Sequence, residues 1–166
     1  FTEYAISTSA DIARDVYAAD VDGDGDMDLL SASQGNNKIA WYENDGSESF
    51  TEHVISTSAG AAYSVHSLDV DGDGDMDVLS ASAGDDKIAW YENDGSESFT
   101  ENVISTSANG ARDVYAADVD GDGDMDVLSA SKTDSKVAWY ENDGSENFTE
   151  HAISTSAGGA YSVHSA

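Results

Sequence analysis

The chain has 166 residues, with 34 acidic side chains against 6 Lys and Arg and a formal net charge of −28. That balance repels a phosphate backbone and an anionic lipid surface alike, which excludes a nucleic-acid binder working by charge neutralisation and any charge-driven membrane association. No apolar run approaches the roughly 20 residues of a membrane-spanning helix. Cysteine is absent, which removes disulfides and thiolate chemistry.

Proline is also absent, but three Trp, eight Tyr and four Phe argue against disorder. The length fits one domain or one repeat array. The chain opens at Phe1, without an initiator Met or a signal-peptide pattern, as expected of a processed, excised or designed segment.

The predicted elements begin with FTEYAIST (1–8), a strand-forming segment whose copies start at Phe50, Phe99 and Phe148. The copies define a 49-residue repeat: units 1–49, 50–98 and 99–147, and a partial unit 148–166, forming one array over 1–166. The next predicted strand is VYAADV (16–21), matched by SVHSLDV (64–70) and VYAADV (114–119). An acidic Gly loop follows, then MDLLSAS (27–33), a variable polar patch, KIAWYE (38–43) and an Asn-Asp-Gly-Ser turn. The strands are rich in Val, Ile, Tyr, Trp, Phe and Thr, which suit a pleated, half-buried surface. Gly after Asp supplies the positive φ of a tight hairpin. Alternation is imperfect, as expected of strands covered on both faces.

Four antiparallel strands per unit of roughly 40–50 residues is the pattern of a propeller blade. The fold class is therefore all-β: three complete four-stranded blades with one flanking strand at each end. Trp41, Trp90 and Trp139, each followed by Tyr, are expected to fill the space between adjacent sheets rather than to stack on a sugar.

A second period lies on the first. Residues 13–22 (ARDVYAADVD) recur at 111–120, and residues 62–67 (AYSVHS) recur at 160–165. Both spacings are 98 residues, since 111 − 13 and 160 − 62 agree. Doubling of the unit as a pair and design both give this pattern.

The strongest chemical signal is Asp-Val-Asp-Gly-Asp-Gly-Asp-Met-Asp, identical at 20–28, 69–77 and 118–126. Positions 1, 3, 5 and 9 gather four carboxylates: Asp20, Asp22, Asp24 and Asp28; Asp69, Asp71, Asp73 and Asp77; Asp118, Asp120, Asp122 and Asp126. Gly25, Gly74 and Gly123 at position 6 permit a sharp turn, and Asp26, Asp75 and Asp124 at position 7 offer a backbone carbonyl. An all-oxygen set of irregular geometry suits Ca²⁺ better than Mg²⁺, giving three expected calcium sites, one per complete repeat. The loop is not an EF-hand: position 12 is Ser31, Ser80 or Ser129 rather than Glu, and the flanks are strands.

The loop with its position-9 Asp, then DVLSAS, KIAWYENDG and FTEHVIST, closely resembles the FG-GAP or VCBS-type repeats of secreted bacterial proteins. Integrin α-subunit propellers and some fungal propeller lectins share the pattern. The resemblance implies that the calcium loop joins the first two strands of each blade, with the ligands named above, and that propellers commonly have seven blades. It also implies an extracellular or cell-surface location.

Three blades do not close a ring, which typically takes four to eight. Open end sheets favour association, so copies of the chain are the expected partners. Two chains forming a ring are the simplest closed answer, a filament is the open one, and a longer parent chain is equally allowed. Catalysis is not expected: no nucleophile motif is present, and His53, His151, His66 and His164 stand where Tyr4, Asn102, Tyr17 or Tyr115 occur in other units. Arg14 and Arg112 are expected in structural ion pairs, with a binding face as the alternative. Two function classes remain: a calcium-stabilised structural or assembly module, and a lectin-like binder of glycans or proteins using patches 34–37, 83–86 and 132–135. Asn147-Phe148-Thr149 is the single Asn-x-Ser/Thr sequon.

Overall fold

A computed structural model describes residues 3–165. Twelve strands follow in chain order. The first blade holds β1 (Ala13–Ala19), β2 (Asp28–Ser33), β3 (Lys38–Asn44) and β4 (Phe50–Ser56). The second holds β5 (Ala62–Leu68), β6 (Asp77–Ser82), β7 (Lys87–Asn93) and β8 (Phe99–Ser105). The third holds β9 (Ala111–Ala117), β10 (Asp126–Ser131), β11 (Lys136–Asn142) and β12 (Phe148–Ser154). Each blade is an antiparallel meander in sequence order, and no helix occurs among the described residues.

The twelve predicted blade strands are present within a few residues, and the acidic loop joins the first two strands of every blade. The flanking segments 3–8 and 160–165 form no ladder. Each is a strand-forming sequence without a neighbour to pair with, and pairing is what makes a strand. Phe1 and Thr2 of the first segment lie outside the described residues.

The cores lie between blades, not within them. Leu30, Ala32, Ile39 and Trp41 of the first blade pack on Ala62, Val65, Val78, Ala89 and Tyr91 of the second. Leu79, Ala81, Ile88 and Trp90 of the second pack on Ala111, Val114, Val127, Ala138 and Tyr140 of the third. Both faces of the second blade are thus in use, which explains why β6 is buried along its whole length. Trp41 and Trp90 are fully buried at the junctions, and Trp139, on the outer face of the third blade, is only half-buried.

The three variable patches clip the blades together. Asn37 C=O accepts from Ala59 N–H (3.1 Å), and Asn37 Oδ1 accepts from Ala61 N–H (2.8 Å). Gly84 N–H of the next patch donates to Gly60 C=O in the same connection (2.8 Å). Each connection is therefore sewn to the turn before it and the turn after it. A second clip repeats in every blade: Lys38, Lys87 and Lys136, buried along their stems, pair with Glu52, Glu101 and Glu150.

Candidate metal centre

The loop after each innermost strand folds on its own aspartates. Gly25 N–H donates to Asp20 Oδ2 (3.0 Å), Asp24 N–H to Asp22 Oδ1 (3.1 Å), and Asp26 N–H to Asp24 Oδ1 (2.8 Å). The same three bonds recur in the second and third loops. Position 6 must be glycine because φ there is +97° to +102° in all three loops.

The last aspartate anchors the loop to its blade. Asp77 is fully buried; its Oδ2 accepts from Val70 N–H (2.9 Å) and its Oδ1 from Asn93 N–H (2.8 Å). Asp28 and Asp126 repeat both bonds, to Val21 and Asn44 and to Val119 and Asn142. The hairpin asparagines return a second bond: Asn93 Nδ2 donates to Met76 C=O (3.2 Å). These asparagines were not among the expected site residues, although their invariance in the Asn-Asp-Gly-Ser turn was visible.

The result is a group of carboxylates that can hold a metal ion. Oxygens of Asp20, Asp22 and Asp28 lie within 4.8 Å of one another, as do those of Asp69, Asp71 and Asp77. In the third loop the group is Asp118, Asp120 and Asp122. Of the expected side-chain ligands, Asp24, Asp73 and Asp126 stand outside these groups, although Asp126 keeps its buried place. The carboxylates of Asp26, Asp75 and Asp124 lie against Gly46, Gly95 and Gly144 of the neighbouring hairpin, where an added Cβ would come within 2.5 Å of a carboxylate oxygen.

Packing like charges here has a cost. Partial burial first, then neighbouring carboxylates, raises the pKa of Asp22 and Asp71 above 3.8. Burial pushes Asp77 up to about 6. Asp20 Oδ1 is buried and has no hydrogen-bond partner. A buried oxygen without a donor, beside two further carboxylates, fits a cation: the ion would replace the missing donor and offset the repulsion.

Arg14 and Arg112 do not form the expected ion pairs. Their guanidiniums lie 5.0 Å and 3.9 Å from the ring centroid of Tyr63, and Arg14 Nε donates to Gln34 (2.6 Å). Register shifts at the start of β1 place Arg14 in a bulge, which turns it toward the neighbouring blade instead of along its own sheet.

A family model for the FG-GAP-like repeat matches residues 20–80, 69–129 and 118–166. The chain belongs to the FG-GAP-like repeat family. No curated protein matches it. Among solved structures, a lectin of Agrocybe aegerita, described by its specific recognition of non-reducing terminal N-acetylglucosamine, superposes with a TM-score of 0.60 at 21% identity. The superposition covers 87% of this FG-GAP chain and 39% of the lectin chain. It supports the blade fold. Among the described residues, no helix is long and apolar enough to cross a membrane.

Proposed function

We propose that this FG-GAP array is a calcium-stabilised structural module of an extracellular or cell-surface assembly, in which further blades cover its end faces. The carrying observation is the loop itself: three grouped carboxylates repeated at every blade, with a buried, donorless oxygen in Asp20. Calcium bound there would supply positive charge and fix the turn. The residues holding it are Asp20, Asp22, Asp24, Asp28 and the main chain of Asp26, with their counterparts at 49-residue spacing. Ions that bind only the folded loop stabilise it by about 1.4 kcal/mol per site at ten times Kd. A weak site of the extracellular kind, with Kd of about 10⁻⁴–10⁻³ M, suits a calcium-rich exterior.

Calorimetric titration with Ca²⁺ should give three sites per chain, and excess EDTA should lower the melting temperature. A melt that EDTA leaves unchanged rejects the reading.

A second reading is glycan binding, favoured by the likeness to the Agrocybe lectin. The burial of Trp41 and Trp90 removes them as sugar-stacking platforms, and the polar patches are partly occupied as clips between blades. A glycan array probed in calcium tests it: bound sugar supports the lectin reading, and a blank array leaves the structural one.

A further inference from the structure

The six basic side chains all lie at one end of the blades. Lys38, Lys87 and Lys136 open β3, β7 and β11, Arg14 and Arg112 stand near the start of β1 and β9, and Lys132 lies in the turn between β10 and β11. The acidic loops lie at the other end, after β1, β5 and β9. An innermost strand separates the two ends by roughly 20 Å, about twice the screening length at physiological salt. A small anion at the basic end is therefore largely screened from the loop carboxylates.

Three of the six cations are paired: Lys38, Lys87 and Lys136 hold Glu52, Glu101 and Glu150. Among the described residues, no carboxylate lies within 4.0 Å of a basic nitrogen of Arg14, Arg112 or Lys132, in a chain with 34 acidic side chains. The acids nearby serve main-chain and hydroxyl donors instead. Asp86 Oδ1 accepts from Gly110 N–H (2.8 Å), Asp134 Oδ2 from Asn109 N–H (3.3 Å), and Asp113 Oδ1 from Ser64 Oγ (2.9 Å).

The 98-residue period sets the first and third blades in register here, with one telling difference. Gln34 N–H donates to Ile12 C=O (3.0 Å) and Lys132 N–H to Gly110 C=O (3.1 Å), so the two side chains start from equivalent positions. In the first blade the arginine is satisfied: Arg14 Nε donates to Gln34 Oε1 (2.6 Å). In the third blade a lysine stands where that acceptor was, and lysine has only donors. Arg112 Nε is buried there without a hydrogen-bond partner. The ring of Tyr63 backs this corner, 3.9 Å from the Arg112 guanidinium. Lys132 Nζ lies 5.0 Å from the ring of Tyr161, and the Lys132 ammonium, then the Arg112 guanidinium, lower that phenol below its usual 10.0. Both cations thus act on one small region.

Buried donors are almost always paired, and two like charges in one corner favour a counter-ion. We propose that Arg112 and Lys132 bind a small ligand through a single carboxylate, with Arg112 Nε and Lys132 Nζ as its donors. A carboxylate brings two acceptor oxygens for one negative charge and fits a guanidinium edge. A phosphoryl group brings about −1.5 to −2 and is repelled more by a chain of net charge −28. An acidic sugar and a peptide C-terminus both carry the required group. The site goes beyond the structural role proposed above, and its place at the far end from the acidic loops makes it independent of the ion there.

The chain has two arginines, so a ¹⁵N spectrum shows two Nε–H signals to follow. Titration of the full chain with glucuronate, for the sugar source, and with N-acetylglycine, for the peptide source, should move the Arg112 signal saturably. Arg14, already bonded to Gln34, should stay in place. A response to either probe supports the site, and the tighter one names the source. Lys132→Gln rebuilds the first-blade pair and should weaken binding about ten- to hundredfold, the effect of losing a hydrogen bond to a charged group. An unmoved Arg14 signal in that variant verifies its fold. The proposal is overturned by no saturable shift with either probe, by equal shifts at both arginines, or by an undiminished response in Lys132→Gln. Tighter binding of inorganic phosphate, or an equal response to uncharged glucose, overturns it as well.

Discussion

The two ends of each innermost strand follow different repeat lengths. The acidic loops after the strands are identical in all three units, with a period of 49 residues; the strands themselves alternate, with a period of 98. The difference reflects where each region finds its partners. A loop bonds chiefly its own aspartates, its own blade's hairpin and, in the proposed state, an ion, with one bond across the first junction, from Asn93 Nδ2 to Val21 C=O. A strand at the axis meets the side chains of the next blade, and a surface carrying Asp and Arg is not complementary to itself. Identity serves the self-contained region, and alternation serves the one that needs a neighbour.

The comparison can be broken most forcefully at the loop anchor. Asp77→Ala leaves two buried N–H groups, of Val70 and Asn93, without an acceptor, at about 1–3 kcal/mol each. Chemical denaturation should show that loss, and Asp28→Ala should behave alike because the environments match. Unequal losses would mean that the loops are not equivalent.

Next is the axis, where the copies should differ. Ser64→Ala removes a hydroxyl held by two carboxylates and should cost about 1.5–3 kcal/mol. Ser162→Ala, touching Asp113 alone, should cost less in the monomer. Equal costs would contradict a two-sided contact at Ser64.

A smaller effect is expected at Tyr63. Its replacement by Leu keeps an apolar side chain but removes the ring between Arg14 and Arg112, at about 0.5–1 kcal/mol per cation–π contact. The same change at Tyr161, with Lys132 5.0 Å above its ring, should be milder still.

The smallest effect is a pH dependence. His66 faces Tyr17, Tyr115, Asp15 and Asp113; burial lowers its pKa below 6.5, although the two aspartates pull it upward. The folded state therefore favours the neutral ring. Its contribution is complete above pH 6.5 and is lost as the pH falls through the folded-state value. Melts of wild type and His66→Phe should diverge between pH 7.5 and 5.5, the variant losing less toward acid. Parallel curves would show that the ring does not sense protonation.

Much of this was legible in the residues. The 49-residue spacing, the strand composition and the Gly-punctuated turns give the blade, and the positions of Trp41 and Trp90 anticipate the cores between blades. The acidic loop announces its chemistry because a carboxylate set at spacing two has few other uses. Arg14 and Arg112 were misread as ion-pair partners, because linear sequence does not show that bulges turn them onto Tyr63 of the blade between them. The structure groups Asp118, Asp120 and Asp122 in the third loop but Asp28 and Asp77 in the first two, a distinction absent from three identical strings.

By itself the sequence determined what depends on local spacing: the period of the strands, the turn glycines and the clustering of acids within nine residues. Only the tertiary structure decided what depends on one blade meeting another. It showed that Ser64 is shared by two aspartates, that Tyr63 separates two arginines, and that Val16 is left open to solvent where Val65 and Val114 are covered. The physical reason is that complementarity belongs to a pair of surfaces, and the chain order does not say which surfaces will face each other.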